Sequence, residues 1–208
     1  ATRYHSRMRL PNGRIRKLRR SSDDLDAAHA LTFSCFRRQR FLTSERACSW
    51  MIEALESARR DHQFELWAYV FMPEHVHLII WPRGPQFRIR AVLAAIKLPV
   101  SRRALAFVTK KAPHFLSQML DKQPNGDSAV RFWQRGGGYD RDLHEPSTIH
   151  ATIDYIHANP VRAGLVERPE LWRWSSAAYF TGTGATPLKP DVHSIPAPPG
   201  HWRFWSCG

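Results

Sequence analysis

Residues 64–81, Phe64-Glu65-Leu66-Trp67-Ala68-Tyr69-Val70-Phe71-Met72-Pro73-Glu74-His75-Val76-His77-Leu78-Ile79-Ile80-Trp81, are rich in β-branched and aromatic side chains and are interrupted once, at Met72-Pro73-Glu74. Proline presets a turn dihedral and cannot donate to a central ladder, so the stretch predicts two strands joined by a tight turn. Side chains alternate across a strand with a period of two. In the second strand Val76, Leu78 and Ile80 therefore share one face, and His75 and His77 the other. Such a hairpin seeds a sheet and places two imidazoles side by side at the start of a strand.

On either side of this hairpin the pattern changes period. Leu31-Thr32-Phe33-Ser34-Cys35-Phe36 alternates apolar and polar residues, as a half-buried strand does. Thr43 and Ser44 before Glu45 offer a hydroxyl cap and an acidic first turn for a helix running to about Arg60, with Trp50, Met51, Ala54, Leu55 and Ala58 at helical spacing. Phe87 to Lys111 reads as a second helix with Ile89, Val92, Leu93 and Ile96 on one side. Pro99 is expected to break or kink it, and Arg102, Arg103, Lys110 and Lys111 make its far half basic. Pro113 to Asp127 carries only weak signals ending in a turn, Val130 to Arg135 resembles another strand, and Gly136-Gly137-Gly138 lets the backbone bend or approach a neighbour closely. Ser147 to Asn159 is a further helix with Ile149, Ile153 and Ile156 as its core stripe, and Pro160 biases Asn159 out of the helical region. Strand, helix, strand pair, helix, strand and helix make an α+β layer fold, helices covering a mainly antiparallel sheet.

The chain has 208 residues, 43% of them hydrophobic, enough for one domain with a sizeable core. Lys and Arg number 31 against 18 Asp and Glu, a formal charge of +13, which suits a protein that follows a polyphosphate backbone. Charge alone leaves a merely soluble basic protein or attraction to acidic membranes open. Residues 3 to 20 hold Arg3, Arg7, Arg9, Arg14, Arg16, Lys17, Arg19 and Arg20 with no acidic residue, an arm read as flexible when free and suited either to phosphate contact or to solvation. This start lacks the apolar segment of a secretory signal, and no apolar run is long enough to span a bilayer. Cys35, Cys48 and Cys207 are odd in number and far apart, which argues against a disulfide framework or zinc ribbon and for a reducing cytoplasm. Past Thr181 the chain turns to Gly, Pro and Thr and closes with Trp202 and Trp205, with little core-forming pattern.

Tyr155 and Asn159 are four residues apart and share a helix face, and Tyr155 lies off the isoleucine stripe. A pair of imidazoles and an amide oxygen can hold a divalent cation, and a nearby phenol can attack a phosphate that the cation polarises. Each residue also has an ordinary reading: His75 and His77 as hydrogen-bonded structural residues, Asn159 as a helix-ending residue whose side chain satisfies nearby backbone. His157, two residues from Tyr155, points to a different side and reads as a packing or hydrogen-bonding residue. Glu74 could support a metal-bound histidine from behind, but a carboxylate beside a proline turn is usually solvated, and it stays outside the site.

Pro73-Glu74-His75-Val76-His77 is similar to the His-hydrophobic-His motif of the HUH endonucleases. Tyr155-Ile156-His157-Ala158-Asn159-Pro160-Val161-Arg162-Ala163-Gly164-Leu165-Val166, supported by Trp174-Ser175-Ser176, resembles the REP-associated tyrosine transposases of that superfamily. The resemblance covers roughly residues 28 to 180. It implies a ferredoxin-like core, Tyr155 as nucleophile, and His75, His77 and Asn159 as ligands of Mg²⁺ or Mn²⁺. It further implies cleavage and joining of single-stranded DNA at imperfect palindromes, usually hairpins, through a 5′-phosphotyrosine and a free 3′-hydroxyl. The expected organisation is a basic arm over 1–27, the transposase domain over 28–180 and a Gly/Pro-rich tail over 181–208. Arg162, Trp133, Arg102, Arg103, Arg14 and Arg16 are the candidate DNA contacts, and the protein is expected in the cytoplasm as a monomer or homodimer. The rival readings are a DNA hairpin-binding protein that keeps the scaffold without chemistry, and a metal-dependent phosphodiesterase that uses water and has no need of Tyr155.

Overall fold

The computed structural model describes residues 23–123 and 126–200, together with the backbone of two short strands, β1 (Met8–Arg9) and β2 (Ile15–Arg16), which pair antiparallel. The expectations for the side chains of Arg14 and Arg16, and for Cys207, Trp202 and Trp205, lie outside the described residues.

The central sheet is built from β3 (Ala28–Ser34), β4 (Phe64–Met72), β5 (His75–Pro82) and β8 (Tyr139–Leu143), in the spatial order β4-β5-β3-β8 and antiparallel throughout. Two long helices, α1 (Glu45–Asp61) and α2 (Ile89–Lys111), follow β3 and β5, giving the β-α-β-β-α-β run of a ferredoxin-like fold. Ser44 caps α1 by accepting the Ala47 N–H, and Ala47, Cys48, Met51, Ala54, Leu55 and Ala58 form its buried face. These residues meet Leu31, Phe33, Leu78 and Ile80 of the sheet and Val92, Ile96 and Val100 of α2 in the larger core. The opposite sheet face, with Trp67, Val70, Met72 and Ile79, is covered by Ile149, Ile153 and Ile156 of α4 (Pro146–His157). Both faces of β4 are thus buried, which accounts for its continuous apolar run. A register shift between Leu66 and Ala68 rephases the strand so that Trp67 and Ala68 both serve the α4 side.

Two expectations are corrected. α2 runs through Pro99 without a break, because Val92, Ile96, Val100 and Ala104 on both sides of it pack on the same core; that burial outweighs the one hydrogen bond proline removes. In the segment 113–127, where the sequence signals are weak, α3 (Leu116–Met119) leads into a small hairpin of β6 (Leu120–Lys122) and β7 (Ser128–Val130). Only Val130 of the predicted 130–135 strand is extended in a ladder, since Phe132 and Trp133 turn inward to the larger core. The strand that completes the sheet is instead Tyr-Asp-Arg-Asp-Leu, β8, an edge strand whose Arg141 is exposed while Asp140 and Asp142 turn toward the buried His29. The segment beyond Thr181 also packs on the body. Leu188 is buried, the Tyr69 hydroxyl donates to its carbonyl, and the Asp191 carboxylate accepts the Leu66 N–H at 2.8 Å.

Candidate active site

The alternation of β5 sends Val76, Leu78 and Ile80 into the larger core and turns His75 and His77 toward the α4 side. Their Nε2 atoms lie 2.9 Å apart. Each ring is held from behind. His75 Nδ1 is 2.8 Å from Glu74 Oε1, and His77 Nδ1 is 2.8 Å from Oγ1 of Thr32, its register partner on β3. Glu74 is itself steadied by Arg38, whose Nη2 is 3.1 Å from the same oxygen. A carboxylate accepts only, so His75 carries its proton on Nδ1 and presents a lone pair at Nε2. Burial lowers the pKa of both imidazoles, and the neighbouring His75 and Arg38 add to the effect at His77, bringing it to about 3. The rings are neutral at pH 7. Two neutral imidazoles with converging Nε2 atoms and an orienting partner on each Nδ1 are the donor arrangement of a transition-metal site, and a ~2.1 Å metal–nitrogen bond places adjacent ligands about 3 Å apart.

Thr32 was not visible as a site residue, and Glu74, which the sequence offers as a support for a histidine, was left outside the site. Glu74 is partly buried and clamped between Arg38 and His75, whereas a carboxylate beside a proline turn is expected to be solvated. Thr32 is recognised only through the β3–β5 register. The loop from β3 is unusual as well. Arg37 and Arg38 both adopt positive φ (52° and 54°), a conformation that costs side-chain-bearing residues about 1–3 kcal/mol each. It is held by the Cys35 N–H donating to the Glu74 carbonyl and the Arg37 N–H donating to Gln134 Oε1, and it delivers the Arg38 guanidinium to Glu74.

From the covering helix, Tyr155 reaches the same place. Its neighbours Ile153 and Ile156 are buried, but Tyr155 is 52% exposed, with its ring edge-on to His77 at a centroid distance of 6.4 Å. The exposed Arg162 lays its guanidinium 4.7 Å over the tyrosine ring. Asn159 differs from expectation in one respect. It is not extended: Ala158 keeps helical dihedrals and Asn159 opens a second short helix, α5 (Asn159–Arg162), in which Pro160 occupies a first-turn position that needs no N–H. The Asn159 Nδ2 donates to the Tyr155 and Ile156 carbonyls at 3.2 and 3.3 Å, capping α4 and leaving the amide oxygen on the other side of the group. His75, His77, Tyr155 and Arg162 are thus brought together by direct contacts, while the hydrogen bonds of Asn159 go to its own helix.

The remaining candidates lie elsewhere. Trp133 is 5% exposed, edge-packed on Phe33 and Phe132 with its indole N–H donated to the Lys97 carbonyl at 3.0 Å, so it has no free face for a base. Arg102 and Arg103 are exposed on α2, which covers the opposite sheet face, and Arg103 is paired with Glu53. His157 is buried with Nε2 2.8 Å from Ser176 Oγ, its pKa pushed down to about 3 by desolvation. It is the hydrogen-bonding residue the helical spacing indicates. Ser176 also accepts the Tyr69 N–H, and the Phe71 N–H donates to the Trp174 carbonyl, so Trp174-Ser175-Ser176 closes the free edge of β4 beneath the tyrosine helix.

No protein-family model matches the chain. A putative REP-associated tyrosine transposase of Haemophilus influenzae is 27% identical over 125 residues, 59% of this chain and 64% of the relative, so the match leaves about a third of that protein uncovered. A REP-associated tyrosine transposase of Escherichia coli is 26% identical over 154 residues, 73% of this chain and 76% of the relative. Among solved structures, a REP-associated tyrosine transposase bound to a REP hairpin shares the fold, with a TM-score of 0.59 at 21% identity over 87% of this chain and 96% of the other. The chain resembles the REP-associated tyrosine transposases in sequence. The α+β sheet with helices on both faces is the fold this chain shares with that solved transposase. None of the described helices is long and apolar enough to cross a membrane.

Proposed function

We propose that this protein is a transposase that cleaves and rejoins single-stranded DNA beside REP-like hairpins, with Tyr155 as nucleophile. The observation that carries the reading is the meeting of an exposed phenol from α4 with two neutral, outward-braced imidazoles from β5. The Tyr155 oxygen attacks the phosphorus, forming a 5′-phosphotyrosine bond as the bond to the 3′-oxygen breaks; the phenol proton is released and the 3′-oxygen leaves as a hydroxyl. Attack by another 3′-hydroxyl reverses the step, so joining needs no nucleotide cofactor. His75 and His77, with the Asn159 amide oxygen, would hold a divalent cation, Mg²⁺ or Mn²⁺, that neutralises charge on the scissile phosphate.

Glu74 and Thr32 fix the two imidazoles with their Nε2 atoms forward, which saves reorganisation when substrate arrives. Arg162 over the Tyr155 ring restrains the phenol and offers a guanidinium to a phosphate on that side, and Arg38, two-thirds exposed beside Glu74, offers one on the other. The REP hairpin bound by the solved relative is the substrate class carried over to this chain, and the excess of positive charge supports it.

Incubation with a labelled single-stranded hairpin and Mn²⁺ tests the proposal. The wild type should give a covalent protein–DNA adduct, and Tyr155→Phe should bind the hairpin but form none. Hairpin binding without an adduct from the wild type would identify a scaffold-only DNA binder, and cleavage that survives Tyr155→Phe would identify hydrolysis by water.

A further inference from the structure

We propose that Tyr139 and Arg141 of β8 carry the single-stranded DNA that flanks the scissile phosphate. Tyr139 is the platform for an unpaired base and Arg141 the contact for a phosphate beyond it, an inference that rests on the reading of Tyr155 and the histidine pair given above. The β3–β8 register sets Tyr139 directly opposite Thr32, and the β3–β5 register sets Thr32 opposite His77. Residues directly opposite each other across an antiparallel pair share a face, so His77, Thr32 and Tyr139 make one row on the side of the sheet where Tyr155 meets His77. Two strand spacings of about 4.8 Å put the Tyr139 main chain roughly 10 Å from that of His77.

Three aromatic side chains of the described residues are exposed, Phe115, Tyr139 and Tyr155, and the two tyrosines stand on this one face. Arg141, two residues along β8, is exposed on the same face and pairs with no acidic side chain among the described residues. Strand alternation sorts the charges of β8. Asp140 and Asp142 turn to the opposite face, where both carboxylates meet the buried His29 ring. To the site side β8 therefore offers a ring and a guanidinium and keeps its carboxylates away, the combination that holds single-stranded nucleic acid by stacking and phosphate contact. Both ends of this floor are fixed. Gly138 approaches β3 so closely that a Cβ there would overlap the Thr32 carbonyl oxygen, which seats Tyr139 against β3. At the other end Leu143 is buried with Ile149 and Ile153 of α4, so the open floor stops at Arg141. Ala30 and Thr32 of β3 beside it are only half-buried, because α4 lies over β4 and leaves this part of the sheet open. A strand whose scissile phosphate lies at Tyr155 therefore has this floor as its way across the sheet.

Fluorescence anisotropy of the full chain tests this, with a chelator present so that no cleavage intervenes. Two labelled probes are compared: a REP-like hairpin alone, and the same hairpin with a single-stranded thymidylate extension on each side. The extension should tighten binding by the wild type. Tyr139→Ala should weaken binding of the extended probe by about 5- to 150-fold, the worth of one base stacked on an aromatic ring, and leave the bare hairpin unaffected. Tyr139→Phe keeps the ring and should bind as the wild type does. Tyr139→Leu keeps an apolar side chain on the edge strand without a π-face, so it should also lose affinity for the extension even if the alanine variant does not fold. Arg141→Ala should lower the log-affinity against log-salt slope for the extended probe by about 0.7, and an unchanged slope would strike Arg141 from the surface. If the wild type gains nothing from the extension, or if Tyr139→Leu binds the extended probe as tightly as the wild type, the floor is overturned while the DNA reading of the site stands. If the wild type binds neither probe, that reading fails and the floor with it.

Discussion

Replacing Gly138 by alanine should unsettle the sheet beside the histidine pair far more than the same change two residues earlier. Gly136 and Gly138 share a positive φ, +90° and +93°, so an added methyl meets the same intrinsic backbone penalty at both, about 1–2 kcal/mol. At Gly136 nothing lies within 4 Å of the new carbon, whereas at Gly138 it would overlap the Thr32 carbonyl oxygen and press on Phe33 Cβ at 3.0 Å. Relief requires β8 to withdraw from β3 where Thr32 pairs with Tyr139. Losing one or two ladder hydrogen bonds there adds about 1–3 kcal/mol. Gly136→Ala should therefore cost roughly 1–2 kcal/mol and Gly138→Ala roughly 2–5 kcal/mol. At 2–4 °C per kcal/mol for a chain of this size, the melting temperatures should fall by about 2–8 °C and about 4–20 °C respectively. Because the Thr32 hydroxyl holds the His77 ring, Gly138→Ala should also weaken Mn²⁺ binding at the histidine pair while Gly136→Ala leaves it intact. Calorimetric melting and Mn²⁺ titration of the two variants side by side check this. Equal melting temperatures would refute the close-packed approach of Gly138 to β3.

His75→Ala or His77→Ala should abolish cleavage and weaken Mn²⁺ binding, with Asn159→Ala milder because water can replace an amide oxygen; equal Mn²⁺ titrations for all three would move the metal elsewhere. Burial holds the His157 pKa near 3 against 6.5 in the unfolded chain, so below pH 6.5 the unfolded state takes up a proton that the native state refuses. Stability should therefore fall as pH drops from 6.5 toward 3, by up to ~1.4 kcal/mol per pH unit from this residue, and His157→Gln should reduce that slope in urea titrations. An unchanged slope would show that His157 is not held neutral. Deleting residues 1–20 removes eight cationic side chains, so hairpin binding should weaken and each lost phosphate contact should lower the log-affinity against log-salt slope by about 0.7–0.9. An identical salt plot would mark the arm as a solvated tail.

Most of the sheet was legible because its strands advertise themselves through burial. β4 and β5 carry a continuous or alternating apolar run around one proline turn, and the predicted limits fall within a residue of those observed. β8 escaped because an edge strand needs only one buried apolar residue: Leu143 supplies it, and Asp140, Arg141 and Asp142 carry no apolar alternation. Phe132 and Trp133 erred the other way. Aromatic density suggested a strand, yet these side chains reach the core from a non-ladder segment whose main chain pairs through an isolated bridge from Trp133 to Cys35, just past the end of β3. The packing of residues 186–195 on β4 rests on hydrogen bonds from Tyr69, Leu66 and Trp67, and no local periodicity encodes bonds made to a strand more than a hundred residues away.

The site divides along the same line. His75, His77 and Tyr155 follow from local periodicity, because strand alternation and helical spacing decide where those side chains point before any tertiary contact forms. Glu74, Thr32 and Arg38 act on the imidazoles only after β3 and β5 are in register and the Arg37–Arg38 turn has been forced to positive φ, so their part is a property of the assembled sheet. Asn159 stands between the two. Helical spacing puts it one turn beyond Tyr155, but the pull of Pro160 toward extended backbone is overcome because proline fits the first turn of α5 without loss. The amide nitrogen is then occupied by the end of α4, and this directs Asn159: with Nδ2 committed to the Tyr155 and Ile156 carbonyls, only Oδ1 remains to face a ligand. The helix-capping and metal-ligand readings of this residue are therefore compatible, since each uses a different atom of the same amide.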